Sequence, residues 1–434
     1  MPTVAYCTLG CKVNQYETEK IRQALEQAGF TTVPFNTPAD IYLVNTCSVT
    51  AVADSKSRSA IRRALKLNPS AVVFVTGCYA ELEPDFIRNA LGINHIISNL
   101  DKETAAQKII AQFNTDSSVQ SIVCATEKPV PQLRIRTRAV VKVQDGCDQF
   151  CSYCIIPHAR SIKSSRCIAD VEQEIRSLAT FGYKEVVLTG IRLGSYESDD
   201  SQVDGSKYHA QKKLPDLITA VAEIDGIERI RLSSIEPWEV DEALLEAMKS
   251  AKVCRHLHIP LQSGDDEVLK LMNRPYTAEQ YRQTVDAVRS QIPDIGITTD
   301  VIVGFPGESE RAFGNTCALI EDIGFSRIHV FRYSPRERTP AATMPGQVHA
   351  EEKKQSAEKL ISIGIDGQRR FAKSLIGKSA SVLVERQVSG SNHLAGFTDN
   401  YVETRFPGDI SLRGQVVSVK IVAVDQNCAI ATMQ

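Results

Sequence analysis

No stretch of this sequence approaches the roughly 18 consecutive apolar residues that a membrane-spanning helix requires, so neither a helical anchor nor a membrane partner is expected. The opening "MPTVAYCTLG" lacks a charged leader and a long apolar core, and reads as a first β-strand rather than a signal peptide. Net charge is nearly absent: 50 Lys and Arg stand against 52 Asp and Glu. No global field draws in nucleic acid, DNA is not an expected partner, and any RNA contact must come from local basic patches. The composition of a disordered chain is missing too, since 43% of the residues are apolar and can build real cores. A last absence is local. The segment "CDQFCSYC", Cys147 to Cys154, carries cysteines spaced C-x3-C-x2-C but no fourth, whereas a closed structural zinc or iron–sulfur site takes four protein ligands.

What is present is cysteine, twelve in all. In a reducing, cytoplasmic setting, clustered thiols point to metal binding or catalysis rather than disulfides. The chain has 434 residues, enough for several domains. Residues 1–117 alternate buried-strand patterns ("TVAYCTL", "DIYLVNTC", "AVVFVTGC") with helical ones, predicting an open parallel α/β domain. A polar, Pro-bearing stretch near 113–133 reads as a linker. Residues 133–365 hold six strand patterns, "AVVKVQ", "EVVLT", "RIRLS", "LHIPL", "TTDVIV" and "IHVFR", separated by helical ones, which predicts a partial (β/α)6 barrel. The long polar loop "SYESDDSQVDGSKYHAQKK" interrupts them. Residues 366–434 turn to short strands ("SASVLVER", "YVETRF", "QVVSVKIVAV", "CAIATM"), predicting a small all-β barrel.

The cysteine triplet follows the first barrel strand at its carboxyl end, the face on which barrel active sites are built. A [4Fe-4S] cubane held by Cys147, Cys151 and Cys154 would keep one iron open. The amine and carboxylate of S-adenosyl-L-methionine fit such a position, so the absent ligand is read as the place of the substrate. Other strand ends offer groups for that cofactor, Thr189 and Gly190, Ser233, Ser234 and Glu236, and Gln262 and Ser263, and Asp300 lies within the fifth strand. Two alternatives stand beside this one, a Cys3His zinc site with His158 and a redox pair in "CSYC".

Cys11, Cys47 and Cys78 are far apart in sequence, yet each follows a strand pattern. In an open α/β sheet the loops at the strand carboxyl ends face one crevice, so three such thiols can converge on a second cluster. The alternative is three unrelated buried thiols. Cys7 lies within the first strand and reads as core; Cys124, Cys167, Cys254, Cys317 and Cys428 are isolated.

The C-x3-C-x2-C triplet resembles that of radical S-adenosylmethionine enzymes. "DGCDQFCSYCIIPHAR", "SSIEP", "PLQSG" and "TTDVIVGFPGE" together resemble the methylthiotransferase family. So do "GCKVNQYETE", "NTCSVT" and "TGCYA", which in that family carry the ligands of an auxiliary cluster. The resemblance spans almost the whole chain and implies two [4Fe-4S] clusters, hydrogen abstraction from C2 of an adenine, and attachment of a methylated sulfur there. Ser161 stands where the family usually has Gly, a departure that tightens the loop and touches no ligand. Lys12 and Thr50 are most similar to the branch acting on N6-threonylcarbamoyladenosine in tRNA; the isopentenyladenosine branch usually has Arg at the place of Thr50, and another branch modifies a ribosomal-protein aspartate. The implied partners are tRNA and an electron donor such as a flavodoxin or ferredoxin. The tail resembles a TRAM domain, which implies RNA binding.

Candidate RNA contacts are Arg134, Arg136 and Arg138 in "LRIRTR", Arg386, Arg405, Arg413 and Lys420 in the tail, and Lys56, Arg58, Arg62, Arg63 and Lys66. A solvated helix face accounts for the last group as readily. With seven Lys/Arg against five Asp/Glu over 370–434, the tail is too weakly charged for charge alone to decide. A third class remains distinguishable by metal analysis: a non-catalytic RNA-binding protein with structural zinc.

Overall fold

The computed structural model describes residues 1–116, 136–199 and 211–434. Its contacts divide the chain into two compact units. The first holds the N-terminal segment together with Gly146–Lys163 and Ser334–Ala342; the second holds the remainder.

The first unit is built on β1 (Thr3–Thr8), β2 (Thr31–Val33), β3 (Ile41–Thr46), β4 (Val72–Gly77) and β5 (His95–Ile97). They form one parallel sheet in the order β2-β1-β3-β4-β5. The central strand β3, "IYLVNT", is buried at every position, as expected where helices cover both faces. Its alternate side chains divide accordingly. Ile41 and Leu43 join Phe74 in a core closed by Ile21 and Leu25 of helix Lys12–Gln27 and by Ile109 of helix Ala105–Asp116. Tyr42 and Val44 join Val73 and Val75 on the other face, against Ile61 and Ala64 of helix Ala51–Leu67 and Ile87 of helix Pro84–Leu91. Each such aliphatic side chain contributes about 1.5–3 kcal/mol on burial, which outweighs the propensity terms of these short strands. Helix Ala105–Asp116 continues past 113, where the sequence reads as linker.

The second unit carries the six expected parallel strands. Its strands, in chain order, are β6 (Arg138–Lys142), β7 (Gln144–Asp145), β8 (Ser164–Ser165), β9 (Glu185–Thr189), β10 (Glu197–Asp199), β11 (Gln211–Lys213), β12 (Arg229–Leu232), β13 (His256–His258), β14 (Gly296–Val303) and β15 (Arg327–Arg332). β6, β9 and β12 pair as one parallel set and β13, β14 and β15 as another. Single parallel bridges, Ile230 to Val253 and Ser234 to His258, join the two sets, so the strands follow chain order around an open barrel. The long polar loop begins and ends as an antiparallel pair, β10 with β11.

Helix Ala350–Ser374 then leads into a closed five-stranded barrel: β16 (Ser379–Gln387), β17 (His393–Thr398), β18 (Glu403–Pro407), β19 (Val416–Asp425) and β20 (Cys428–Met433), ordered β16-β17-β18-β20-β19. The regular β structure therefore starts at Ser379. The sequence reading missed β17, "HLAGFT", because Gly396 weakens its strand pattern. The same glycine is required by packing: a Cβ there would lie 1.9 Å from the Leu383 carbonyl oxygen.

Candidate functional site

Because β1, β3 and β4 are parallel neighbours, their carboxyl ends lie together at one edge of the sheet. Cys11, Cys47 and Cys78 follow those three ends. Buried amides and hydroxyls fix each loop. Asn14 donates to the Leu9 carbonyl (2.8 Å) and the Thr46 carbonyl (2.9 Å), sewing the end of β1 to the end of β3. The Thr46 hydroxyl donates to the Thr76 carbonyl (2.6 Å) and accepts from the Ala80 N–H (3.1 Å), sewing β3 to the turn that carries Cys78. Ser57 donates to the Cys47 carbonyl (3.0 Å) and accepts the Cys47 N–H (3.3 Å). Gly77 has φ +95°, and a Cβ there would lie 2.3 Å from the Thr46 carbonyl oxygen, so only glycine lets the Cys78 turn lie against β3.

Burial pushes the Cys47 thiol up to about 11, and the charges of Cys78 and Cys11 push in the same direction. Burial also raises Cys78, with Arg160 and Lys102 acting against it. Cys47 and Cys78 both sense the charge of Cys11. Buried thiols of this kind become thiolates once a metal draws the proton away.

Beside Cys78 lies a charged group that the sequence reading missed. Glu17, Lys102 and Arg160 are 4%, 6% and 4% exposed. Arg160 reaches both carboxylate oxygens of Glu17 at 2.9 Å and the Asn14 amide oxygen at 2.9 Å. Lys102 Nζ pairs with Glu17 and lies 3.5 Å from the Asn45 amide oxygen. Two cations thus share one carboxylate in the interior. Buried charge is tolerated only when compensated, and here the Glu17 carboxylate meets both cations. Three thiols delivered by three neighbouring strand ends are a donor set that fits an iron–sulfur cluster held by Cys11, Cys47 and Cys78.

The contiguous triplet lies in the same unit. Gly146, φ +75°, opens its loop where a Cβ would lie 2.0 Å from the Ile162 carbonyl oxygen. The Cys147 N–H donates to the Arg160 carbonyl (3.3 Å) and the Cys154 N–H to the Cys151 carbonyl (3.0 Å). The Gln149 N–H points at the Cys147 sulfur (3.4 Å), the kind of contact that stabilises a thiolate ligand. Cys151 is buried, and Cys147 and Cys154 are half-buried. This donor set fits a three-thiolate cluster. His158, the fourth ligand of the zinc alternative, packs edge-on to the Phe150 ring at 6.4 Å.

In the second unit, the strand-end residues fall into separate groups. Ser234 bridges to His258, whose Nε2 lies 3.2 Å from an Asp300 carboxylate oxygen; the Gln262 N–H donates to the Asp300 carbonyl at 2.8 Å. Ser234, Gln262 and Asp300 thus form one strip along β12–β14. His329, opposite Asp300 on β15, completes a His258–Asp300–His329 group whose ligand atoms lie within 4.8 Å of one another. Neither histidine figured in the sequence reading. Thr189 ends β9, and Gly190 follows it against Gln144, where a Cβ would lie 2.7 Å from the amide oxygen. Glu236 is ion-paired with Arg274, whose guanidinium lies 4.8 Å from the centre of the Trp238 ring.

Arg134 lies outside the described residues. Arg136 is exposed. Arg386 pairs with Glu403 at 2.6 Å, and Arg413 donates to the Glu385 carbonyl at 3.1 Å. On helix Ala51–Leu67, Lys56, Arg62, Arg63 and Lys66 are exposed, whereas Arg58 lies over the rings of Tyr79 and Phe86.

Comparison with known proteins finds two family matches. Residues 3–98 match the uncharacterized protein family UPF0004, and residues 141–320 match the radical SAM superfamily. The threonylcarbamoyladenosine tRNA methylthiotransferase MtaB of Bacillus subtilis is 39% identical over 97% of this chain and 94% of its own length. MtaB of Thermotoga maritima is 36% identical over 99% and 97%. A tRNA-2-methylthio-N(6)-dimethylallyladenosine synthase of a Thermoanaerobacter species is 35% identical over 95% and 89%. Among solved structures, the radical S-adenosylmethionine methyltransferase TsrM from Kitasatospora setae superposes with a TM-score of 0.57 at 15% identity, covering 78% of this chain and 76% of that one, a likeness of fold.

Proposed function

Since the chain belongs to the tRNA methylthiotransferases of the radical S-adenosylmethionine superfamily, we propose that it attaches a methylthio group to C2 of N6-threonylcarbamoyladenosine beside a tRNA anticodon. Membership makes it a transferase that uses a [4Fe-4S] cluster and S-adenosylmethionine. The finer reading takes Cys147, Cys151 and Cys154 as ligands of that cluster and Cys11, Cys47 and Cys78 as ligands of an auxiliary one. When bound, the first supplies an electron that cleaves S-adenosylmethionine to a hydrogen-abstracting radical, and the second supplies a site for the sulfur.

One observation carries the reading: three thiols delivered by three adjacent strand ends, in the same unit as the contiguous triplet. The chain's own residues hold this arrangement. Asn14, Thr46 and Ser57 fix the three scattered loops, and Arg160 contacts both trios, its carbonyl at Cys147 and its side chain beside Cys78. Ser234, Gln262 and Asp300, with Thr189, Gly190 and Glu236, are the proposed cofactor contacts. The threonylcarbamoyl branch is supported by Lys12 and Thr50 and by the 39% identity to the Bacillus subtilis MtaB against 35% to the Thermoanaerobacter synthase. Arg136, Arg386 and Arg413 are proposed phosphate contacts, with Arg134 beside them in sequence, and a flavodoxin or ferredoxin is the proposed electron source. The same reading divides the chain at 1–117, 133–365 and 366–434.

Nucleoside mass spectrometry of tRNA from a strain lacking this gene tests the substrate. Loss of 2-methylthio-N6-threonylcarbamoyladenosine with its unmethylthiolated precursor accumulating supports the reading. Loss of the dimethylallyl counterpart instead, or no change in either nucleoside, overturns it.

A further inference from the structure

We infer that a cavity in the first unit, lined by Arg58, Arg336 and Arg338, receives the polar N6 substituent of the substrate adenosine and holds its carboxylate. The assignment rests on the threonylcarbamoyl reading above. The cavity encloses about 300 Å3, and every residue that lines it belongs to the first unit. Its walls grow out of the cysteine loops. Ser48 follows Cys47, and its hydroxyl accepts from Arg336 (2.8 Å) and donates to Asp54 (2.7 Å). Tyr79 follows Cys78 and Ile155 follows Cys154, while Leu82 and Ile155 share one apolar cluster with Cys78. A group bound in the cavity therefore lies against loops that carry cysteines of both trios.

The lining offers donors and acceptors together. Three guanidiniums face three carboxylates, Asp54, Glu83 and Glu337, yet only one pair closes, Arg336 with Asp54 at 2.6 Å. Arg58 donates to the Tyr79 hydroxyl (3.2 Å) and Arg338 to the Leu82 carbonyl (3.1 Å), and neither forms an ion pair among the described residues. A guanidinium has several N–H donors in a fixed fork, so most of those on Arg58 and Arg338 are unused within the protein. The Arg336 Nε is buried and has no hydrogen-bond partner among the described residues. Arg338 has φ +71°, in the region that favours glycine, and backbone strain of this kind gathers at ligand sites. Arg58 is steadied over the rings of Tyr79 and Phe86, 5.8 and 6.0 Å from their centres. The two candidate bases differ where this matters. A dimethylallyl group is a hydrocarbon and satisfies none of these groups. A threonylcarbamoyl group brings a carboxylate, which the planar fork of arginine grips well, together with N–H and O–H groups that Glu83 and Glu337 can accept. A backbone phosphate also suits the arginines, but it leaves the two glutamates facing an anion.

The test compares two anticodon stem-loop RNAs that differ by one charge. One carries N6-threonylcarbamoyladenosine; the other carries the same nucleotide with its carboxylate blocked as the methyl ester. The full chain, loaded anaerobically with iron and sulfide, is measured for its Kd and for kcat/KM of methylthiolation on each. The wild-type protein is expected to bind the acid about tenfold to a hundredfold more tightly than the ester, the range of one lost charge-assisted hydrogen bond. Arg58→Gln and Arg338→Gly should each bring that ratio close to one. Glycine suits the backbone at position 338, and a ratio taken within one protein is not moved by partial unfolding. A wild-type ratio near one, or a ratio that both variants leave unchanged, overturns the pocket while leaving the substrate reading intact. An unchanged ratio with a shallower salt slope for both RNAs reassigns the arginines to backbone phosphate and overturns it equally. A wild-type protein that fails to methylthiolate the acid RNA overturns the substrate reading itself, and the pocket with it.

Discussion

Two buried glutamates anchor the two units, and they use their cations differently. Glu185, at the start of β9, is fully buried and paired with Arg231 and Arg229, each at 2.9 Å, and with Arg138 at 3.6 Å. Arg138 also pairs with Glu385. Arg231 reaches the Thr398 and Asp399 carbonyls, and Arg229 reaches the Phe397 carbonyl, all at 3.1–3.2 Å. These contacts tie the small β-barrel to the amino ends of the barrel strands, and Arg231 and Arg229 also act on the buried, isolated Cys254 thiol. Glu17 is buried too, and its two cations, Lys102 and Arg160, act on Cys78, one of the proposed cluster ligands. The same chemistry, a carboxylate sharing several cations, serves as a clamp in one unit and as part of a functional site in the other.

That contrast breaks most sharply at the cysteines. Cys147→Ala is expected to abolish 5′-deoxyadenosine formation. Cys11→Ala should keep some cofactor cleavage while stopping sulfur insertion, both read by mass spectrometry of the reaction. Wild-type methylthiolation by the Cys11→Ala protein would remove the second trio from the mechanism.

The clamp itself gives the next effect. Arg231→Met leaves Glu185 without its best partner in the interior and should cost about 3–5 kcal/mol, read as a lower denaturation midpoint, with iron content unchanged. A matching loss of iron would erase the distinction between the two glutamates.

The clamp should also respond to acid. Burial alone would raise Glu185, but Arg231, Arg229 and Arg138 outweigh it and hold the carboxyl down at about 2. An unfolded Glu titrates near 4.3. The stability from this depressed group is therefore complete above about pH 4.3 and is lost as pH falls towards about 2. Glu185→Gln should flatten that part of the stability profile.

The smallest expected effect is at the surface. Arg386 is exposed and paired with Glu403, so Arg386→Ala should change stability by less than about 1 kcal/mol. As a phosphate contact it should lower the salt slope of tRNA binding by about 1. An unchanged slope would assign it to the pair with Glu403 alone.

The parallel strands were legible because fully buried strands read as continuous apolar runs, and the contiguous cysteines because a loop brings its own ligands together. The scattered cysteines needed topology: only the order β1-β3-β4 makes neighbours of Cys11, Cys47 and Cys78. The Glu17–Lys102–Arg160 group went unread because single charged residues ordinarily face water. One signal was available. Glu17 sits four residues from Val13 and four from Ile21, on the apolar stripe of its helix, where a carboxylate has to find a buried partner. Nothing local marks Lys102 or Arg160, whose burial depends on contacts 85 and 143 residues away. His258 and His329 converge on Asp300 only through strand pairing.

The most direct measurement is iron content with Mössbauer spectroscopy on oxygen-free protein, for the wild-type chain and for each trio replaced by Ala. The account predicts about eight irons per chain as two cubanes, and about four in either variant, each retaining the other cluster's signal. A protein that holds only about four irons, none of them lost when Cys11, Cys47 and Cys78 are replaced, would contradict it.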